Sequence, residues 1–302
     1  MDRLEAMSLL LDAVEAGSLS GAARRLDRPL STVSRRVAEL ERHLGVRLLV
    51  RAGRRLELTE AGAGYVAAAR RILDDVAEAE RTATGEGVAV RGELVVTAPV
   101  VFGRRHVLPV VADLLAEHPE VDVRLVQADR VVHLVDERVD VAVRIGHLSD
   151  SALIASGVGE VRRVVCASPA WLARHGEPAS PGALAGVGCV TFENLDRGGT
   201  WTFGEGARRR RVPVRSRLVV ATAEAAVDAA VAGVGPTRVL SYQVAEEVRT
   251  GTLRIVLAGD EPAPLPVSLV RGPGGPVPLK VRAFLDLARP RLASVLESEG
   301  RT

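Results

Sequence analysis

The residues with the clearest chemical pattern are 31–40, STVSRRVAEL, where hydroxyl groups and two adjacent arginines share a regular apolar repeat. With about 100° between successive residues of a helix, the apolar side chains form one face. That face consists of Val33, Val37, Leu40 and Leu44. The opposite face presents Ser31, Thr32, Arg35, Ala38 and Arg42. Backbone N–H groups and the helix dipole favour phosphate at the N-terminus of such a helix. The pattern fits a helix that contacts a polyanion, or one whose polar face is simply solvated.

The two adjacent arginines differ in position. Arg35 lies one turn into the helix on the polar face, from where a guanidinium reaches a guanine edge or a phosphate in the major groove. Arg36 lies on the flank beside the apolar face, and we expect it to contact a phosphate or a neighbouring acid. Glu39 has two interpretations: it orients an arginine, or it accepts a hydrogen bond from a cytosine amine.

Positive charge is confined to this part of the chain. Residues 20–58 hold ten arginines against four acidic residues, a net charge of +6, whereas 1–19 and 59–90 each carry −3. The whole chain of 302 residues carries only +2, so total charge alone does not indicate nucleic acid. A localised basic patch is typical of a module that binds a polyanion.

The surrounding pattern predicts the elements that hold this helix. Apolar spacing predicts a helix over 4–14 that ends at Gly17, then a short helix through residue 26, capped by Ser18 or Ser20. A turn follows, with Ser31 as N-cap and Gly45 as the stop of the third helix. This is the helix-turn-helix pattern, and VRAGRRLEL at 50–58 predicts a hairpin-like wing.

A long helix is predicted from Thr59 to about Thr84. Apolar and small residues repeat along it with the spacing of a coiled-coil seam: Tyr65, Ala69, Ile72, Val76, Ala79 and Ala83. The seam joins two chains in a dimer, or the helix packs on its own domain; the spacing is the same for both.

Beyond GEGVAVRG at 85–92, which has the composition of a hinge, strand-like and helical segments alternate. This alternation predicts parallel sheets covered by helices, and about 210 residues are enough for two sub-domains.

Several other functions find no support in the sequence. No His spacing predicts a metal site, no nucleophile elbow predicts a catalytic triad, and GVGPTR at 233–238 lacks the third glycine of a dinucleotide loop. Cys166 and Cys189 lack CxxC spacing and are expected to be buried packing residues. Arg208–Arg211 form a solvated hairpin tip or a second DNA site. With no signal peptide and no apolar run of about 20 residues, we expect a cytoplasmic protein.

Ordered motifs in both halves resemble one family. AARRL at 22–26, VSRRVAELERHLGVRLLVR at 33–51 and LTEAG at 58–62 are similar to the DNA-binding domain of LysR-type transcriptional regulators. The similarity continues in GELVVTAPVVFGRRHVLPVVADLLAEHPEVDVRL at 92–125, VDVAVRIG at 139–146 and VLSYQVAEEVRTGTLRIVL at 239–257.

The resemblance implies an all-α winged helix-turn-helix domain at 1–58, a linker and dimerisation helix with its hinge at 59–91, and a two-lobed α/β effector domain at 92–302, similar to type 2 periplasmic binding proteins. Sub-domain I would span about 92–162 and 268–302, and sub-domain II about 163–267. The crossovers would lie near 162–166 and 265–269.

The resemblance also implies site residues. DNA contacts would come from Ser34 and Arg35, with Arg54 of the wing in the minor groove, and we add the rest of the basic face: Ser31, Thr32, Arg36 and Arg42. The seam from Tyr65 to Ala79 would mediate dimerisation. A small effector of unknown identity would bind between the sub-domains at Pro99, Val100, Asp129, Arg144, Phe192 and Thr222. Pro99 replaces a hydroxyl common in the family, and Arg144 either contacts the ligand or pairs with Asp129.

The sequence therefore predicts a transcription factor rather than an enzyme, without metal or cofactor. Its partners would be double-stranded DNA carrying an inverted-repeat operator, further copies of itself in a dimer or tetramer, and RNA polymerase. The alternative is a solute-binding or catalytic α/β protein whose N-terminal helices serve only association.

Overall fold

The structure is a computed structural model that describes residues 2–52, 55–84, 89–130, 134, 137, 139–148, 153–192, 199–272 and 277–300. The chain divides into two compact units, Met1–Ala89 and Val90–Thr302. Each unit has its own hydrophobic core.

The first unit contains three helices, a two-stranded hairpin and a long helix. In chain order they are α1 (Arg3–Glu15), α2 (Leu19–Arg25), α3 (Leu30–Leu44), β1 (Leu49–Ala52), β2 (Arg55–Leu58) and α4 (Glu60–Thr84). The strands β1 and β2 pair antiparallel, as predicted for the wing. The apolar face of α3 packs into the core, with Val33, Val37 and Leu40 almost completely buried. The helix-turn-helix order predicted from the sequence is confirmed.

Side-chain caps begin three of these helices. Ser18 Oγ accepts from the Gly21 N–H at 3.0 Å, and Thr59 Oγ1 accepts from the Gly62 N–H at 2.9 Å, both as predicted. Asp2 caps α1, a cap that the sequence analysis missed. Ser31 does not cap α3, so that prediction was wrong. The helix begins one residue earlier, because the Pro29 carbonyl accepts from the Thr32 and Val33 N–H groups. Proline's fixed φ already gives the extended conformation of a residue that precedes a helix.

The start of α4 approaches the wing closely. A Cβ added to Gly62 would lie 1.9 Å from the Leu48 carbonyl oxygen, which no larger residue tolerates without movement of the backbone. Thr59 Oγ1 also donates to the Arg47 carbonyl at 2.7 Å. These contacts fix the entry of α4 against the segment that leads into β1.

The seam predicted along α4 divides into two parts. Ala69 is fully buried within its own chain, and Tyr65 packs partly against the core formed by α1, α3 and the wing. Assigning Ala69 to a dimer contact was therefore wrong, because α1 and α4 pack together at this end. By contrast, Ile72 is 41% exposed, Val76 is half-buried and Ala79 is exposed.

The second unit has two lobes. Lobe I comprises the described parts of 90–161 and 265–300: β3 (Gly92–Ala98), α5 (Val100–Phe102), a π-helical stretch (Gly103–Val107), α6 (Leu108–Glu117), β4 (Val121–Gln127), β5 (Val141–Ile145), β6 (Ile154–Val161), β14 (Leu265–Arg271) and α10 (Leu279–Gly300). Lobe II comprises the described parts of 162–264: β7 (Arg163–Ala167), α7 (Pro169–His175), β8 (Gly188–Phe192), β9 (Thr200–Phe203), β10 (Arg210–Pro213), β11 (Arg215–Val220), α8 (Ala223–Val231), β12 (Thr237–Leu240), α9 (Ala245–Arg249) and β13 (Arg254–Val256).

Each lobe contains a five-stranded sheet in its described residues. The strand orders are β4-β3-β5-β14-β6 in lobe I and β11-β8-β12-β7-β13 in lobe II. The prediction of parallel sheets is only partly right, because β14 runs antiparallel to β5 and β6, and β7 runs antiparallel to β12 and β13. Both β7 and β14 follow a passage from the other lobe, which reverses their direction relative to the strands beside them.

The chain crosses between the lobes twice. The first crossing is at Arg162, between β6 and β7, close to its predicted place. The second lies within 257–264, because β14 belongs to lobe I along its whole length. The predicted boundary between 267 and 268 falls inside this strand and was wrong, since the apolar pattern of a strand does not reveal the sheet it joins.

Two further motifs have structural roles. A Cβ added to Gly235 would lie 2.1 Å from the Gly188 carbonyl oxygen, so GVGPTR serves close packing between β8 and the start of β12. Cys166 and Cys189 are both fully buried, and burial raises the pKa of the Cys166 thiol to about 12. Cys166 is therefore held in the unreactive thiol form.

Candidate DNA-binding surface and effector pocket

The polar face of α3 is the outer surface of the first unit. Ser31, Ser34, Arg35 and Arg42 are exposed and Thr32 is half-buried, while the apolar face is buried. No described side chain caps the first turn of α3, so its N-terminal N–H groups lie beside Ser31 and Thr32. Hydroxyl groups beside a helix N-terminus suit a phosphate oxygen.

Contacts with acids divide the arginines of the basic segment into two groups. Arg25 binds Asp12 and Glu15, Arg28 binds Glu5, and Arg36 lies 3.4 Å from Glu5 and 3.2 Å from Glu39. Arg36 thus contacts neighbouring acids, and Glu39 orients an arginine, as the sequence analysis allowed. Arg35 and Arg42 form no ion pair with any described residue. The positive charge that remains uncompensated on α3 lies on its exposed face.

The wing is tied to the C-terminal end of α3 by one carboxylate. Glu41 Oε1 accepts from the Leu48 N–H at 2.7 Å and from the Leu49 N–H at 3.1 Å. The sequence analysis did not identify this role for Glu41. The hairpin is held next to α3 as a result, whereas Arg54, the residue predicted for the minor groove, lies outside the described residues.

A cavity of about 290 Å³ lies between the two lobes. It opens at the C-terminal ends of β3, β4, β5, β8 and β12 and at the first residues of β7 and β14. Its lining residues are Pro99, Ala128, Asp129, Arg130, Val143, Arg144, Ile145, Arg163, Phe192, Leu240, Tyr242, Gln243 and Leu265. Strand ends at such an edge are the common ligand site of α/β sheets.

Four of the six predicted effector residues line this pocket, namely Pro99, Asp129, Arg144 and Phe192. Val100 does not, because its N–H donates to Asp129 Oδ1 at 3.0 Å, and Thr222 instead caps α8 by accepting from the Ala225 N–H at 3.2 Å. The structure therefore contradicts the assignment of Val100 and Thr222 as lining residues. Both belong to helix starts whose first N–H groups are satisfied within the protein.

Three arginines face the pocket, two of which the sequence analysis missed. Arg130 forms two short contacts with Glu137, at 2.5 and 2.6 Å. Burial lowers the pKa of Arg144, and the negative charge of Glu137 opposes that effect. Arg163, the first residue of β7, comes from lobe II. A charged residue at the beginning of the apolar segment VVCA was a signal that could have identified Arg163.

The segment 240–243 forms a wall of the pocket and joins the lobes. Gln243 Oε1 accepts from the Leu240 N–H at 2.9 Å, and Arg105 of lobe I donates to the Tyr242 carbonyl at 2.9 Å. The rings of Tyr242 and Phe102 meet edge-on, with centroids 5.2 Å apart. Gln243 also lines a second cavity of about 270 Å³, together with Arg104, Arg105, Glu224, Asp228 and Glu247. One short segment thus separates two interlobe cavities.

His106 is buried behind this wall. Its ring is 4.8 Å from that of Phe102 and 5.8 Å from that of Tyr242. Burial, with a smaller effect from Arg105, lowers the pKa of His106 to about 4, so its 3.7 Å approach to Glu299 is not an ion pair at neutral pH. Burial also raises the pKa of Glu299.

Searches of the described residues for two other features were negative. No helix in these ranges is both long enough and apolar enough to span a bilayer. No cluster of three or more His, Cys, Asp and Glu residues in the same ranges is arranged to hold a metal ion.

A basic helix-turn-helix unit with a wing, followed by a two-lobed α/β unit with an interlobe pocket, defines a ligand-responsive regulator of transcription. Two family models match the chain. Residues 4–63 match the bacterial regulatory helix-turn-helix protein, lysR family, and residues 88–293 match the LysR substrate binding domain. The chain belongs to the LysR family of transcriptional regulators.

Relatives of known name agree with this assignment. An HTH-type transcriptional regulator of Xanthomonas campestris is 35% identical, over 94% of this chain and 84% of its own length. An HTH-type transcriptional repressor of Pseudomonas aeruginosa is 32% identical, over 95% and 91%. Among solved structures, CrgA, a LysR-type regulator of Neisseria meningitidis, has a TM-score of 0.61 and 32% identity, and covers 95% of this chain and 98% of its own.

Proposed function

We propose that this LysR-type regulator reads its operator mainly through Arg35 and Arg42, with Ser31, Thr32 and Ser34 at the phosphate backbone. The observation that carries the proposal is the contrast along one basic segment. Arg25, Arg28 and Arg36 contact acids of the same unit, whereas Arg35 and Arg42 are exposed and form no ion pair with described residues. An exposed guanidinium without an internal acid keeps its donors for a base edge or a phosphate.

Arg36 and Arg54 have secondary parts in this proposal. Arg36 positions the recognition helix through Glu5 and Glu39 and keeps a donor near the backbone of the duplex. Arg54 enters the minor groove, an assignment that depends on the family resemblance alone.

Two copies of the chain join through α4, so that two recognition helices meet the half-sites of an inverted repeat. The C-terminal part of the helix supports this proposal, because Ile72 and Ala79 are exposed and Val76 is half-buried. Tyr65 remains at the edge of the contact, next to the core of its own unit. Dimers then associate into a tetramer or act singly, and RNA polymerase is the partner through which a DNA-bound regulator alters transcription.

The interlobe pocket holds the small effector that controls the protein. Pro99, Asp129, Arg144 and Phe192 line the pocket, and Val100 and Thr222 act indirectly by keeping two helix starts in place. A ligand that prefers one arrangement of the lobes shifts the population of regulator states and thereby the geometry on DNA.

These roles give each part of the chain a task. Residues 1–58 bind DNA, 59–91 join the copies and connect the units, and 92–302 bind the effector. The relatives are regulators of transcription, and we propose that this chain catalyses no reaction, uses no cofactor or metal, and acts in the cytoplasm, where bacterial DNA lies.

The salt dependence of DNA binding tests the proposal. The probe is the region upstream of the protein's own gene, and footprinting defines the protected bases. With one phosphate contact for each basic group, the logarithm of the binding constant falls steeply as salt rises, by about 0.9 per phosphate neutralised. Two protected half-sites with a steep slope support the proposal. Binding that does not change with salt, or a single protected half-site, contradicts it.

A further inference from the structure

We propose that the effector is a small organic anion with a single negative charge, held at its charged end between Arg144 of lobe I and Arg163 of lobe II. The inference rests on the proposed function of the pocket. It adds the chemical class of the ligand and assigns Arg163, which the family resemblance does not identify.

The helix that starts beside the pocket does not provide the anion site. Pro99 has no N–H, and the N–H of Val100 already donates to Asp129 Oδ1 at 3.0 Å. A ligand carboxylate at this position would meet the carboxylate of Asp129 and be repelled. The arginines are therefore the groups in the described lining that attract negative charge.

The charge of the lining sets the charge of the ligand. Among the described lining residues, three arginines face one carboxylate, Asp129. Glu137, which contacts Arg130 at 2.5 Å and acts on Arg144, offsets one more positive charge. One net positive charge remains. A ligand with one negative charge neutralises it, whereas a dianion leaves one charge uncompensated in a partly buried site.

The remaining lining limits the body of the ligand. Val143, Ile145, Phe192, Leu240 and Leu265 give the pocket an apolar side. The volume of about 290 Å³ lies at the lower limit of ligand pockets, which typically span roughly 300–1,000 Å³. The geometry fits a compact aromatic or branched aliphatic monocarboxylate.

The two arginines lie on different lobes, which links binding to regulation. Arg144 is the fourth residue of β5 in lobe I, and Arg163 opens β7 in lobe II, just after the first crossing. A carboxylate has two oxygens and contacts one guanidinium with each. Binding therefore favours the arrangement in which both arginines face the same point, and that preference is the differential affinity that a conformational switch requires.

The experiment measures the melting temperature of the full-length protein with probes that differ in charge. Benzoate, phenylacetate and 4-methylpentanoate are the monoanions, benzamide is the neutral match, benzylammonium the cation and phthalate the dianion. We expect at least one monoanion to raise the melting temperature more than every other probe. Equal shifts by benzoate and benzamide, a larger shift by the cation or the dianion, or no shift by any monoanion overturns the inference.

Single variants then test the two arginines. Arg144→Gln and Arg163→Gln should each weaken the stabilising monoanion by about ten- to hundredfold in calorimetry, because each removes a hydrogen bond between charged groups. Arg124→Gln, an exposed position on β4 outside the pocket, should keep wild-type affinity. Unchanged affinity in Arg163→Gln overturns the assignment of Arg163.

DNA binding by the same preparations, without ligand, separates this inference from the proposed function. A chain that binds its upstream region but prefers no monoanion keeps the regulator and loses the ligand class. A chain that binds benzoate through Arg163 but no DNA supports the ligand class and defeats the regulator.

Discussion

Replacing Arg35 by alanine should weaken operator binding while leaving the fold intact. Arg35 is exposed on α3 and forms no ion pair with described residues, so its removal should change the free energy of unfolding by less than about 0.5 kcal/mol. A base-contacting arginine contributes about 1–3 kcal/mol, and the dissociation constant should therefore rise about 5- to 150-fold. Fluorescence anisotropy with a labelled operator duplex and with a scrambled duplex of equal length measures both affinities.

Arg36→Ala is the matched control, one position along the same helix. Its side chain is 28% exposed and contacts Glu5 and Glu39, so its loss should lower stability by about 0–1 kcal/mol. We expect Arg36→Ala to affect operator and scrambled DNA alike, whereas Arg35→Ala should act more strongly on the operator. Equal operator affinity of Arg35→Ala and wild type would refute the reasoning, as would an equal loss on both duplexes.

Three further changes test other parts of the structure. Gly62→Ala should lower the free energy of unfolding by about 1–3 kcal/mol in urea denaturation, because its Cβ would meet the Leu48 carbonyl oxygen at 1.9 Å. Ile72→Asp should dissociate the dimer in light scattering, because it places a charge in the exposed seam of α4. Since the folded pKa of His106 is about 4 against 6.5 unfolded, stability should fall as pH drops from about 6.5 to 4, by at most about 3 kcal/mol.

Each of these changes has a control. Gly186→Ala adds a Cβ that meets no atom within 4 Å, and equal destabilisation by both glycine changes would contradict the contact argued for Gly62. Ala67→Asp lies on the exposed side of α4 away from the seam, so a monomer in both aspartate variants would contradict the specific seam. His106→Leu should flatten the decline of stability with acid. Glu299, with its raised pKa, acts in the opposite direction, and an unchanged pH profile would remove His106 as the cause.

Local chemistry explains what could be predicted from the sequence. Ser18 and Thr59 cap helices because a hydroxyl reaches the N–H three residues ahead, and Gly45 ends α3 with a φ of 71° that glycine adopts without strain. Asp27, where a glycine is frequent in the family, has a φ of 49°, which Asp tolerates better than most residues. The turn therefore keeps its shape without the glycine.

The parts that sequence reasoning missed depend on distant contacts. Ala69 has the spacing of a dimer seam, but the same spacing serves a helix that packs on α1. The strand β6 went unnoticed because Gly157 and Gly159 interrupt its apolar pattern. Gly159 leaves room for Leu296 of α10, whose side chain would lie 2.9 Å from an added Cβ.

The pocket was incomplete for a similar reason. Pro99, Asp129 and Arg144 follow or end strands whose pattern is visible in the sequence. Arg163 and Tyr242 enter the pocket only because the chain crosses to the other lobe, and the position of a crossing is not written in local spacing.

The two crossings also restrict how the lobes can move. Two stiff bodies joined by two short segments, here at residue 162 and within 257–264, turn freely only about the line that connects the segments. Sliding or twisting would stretch both segments at once. Opening about that line must break the hydrogen bond from Arg105 to the Tyr242 carbonyl and the 3.1 Å ion pair of Arg104 with Glu224. The motion has a single degree of freedom, so a small ligand acting at one point is enough to control it.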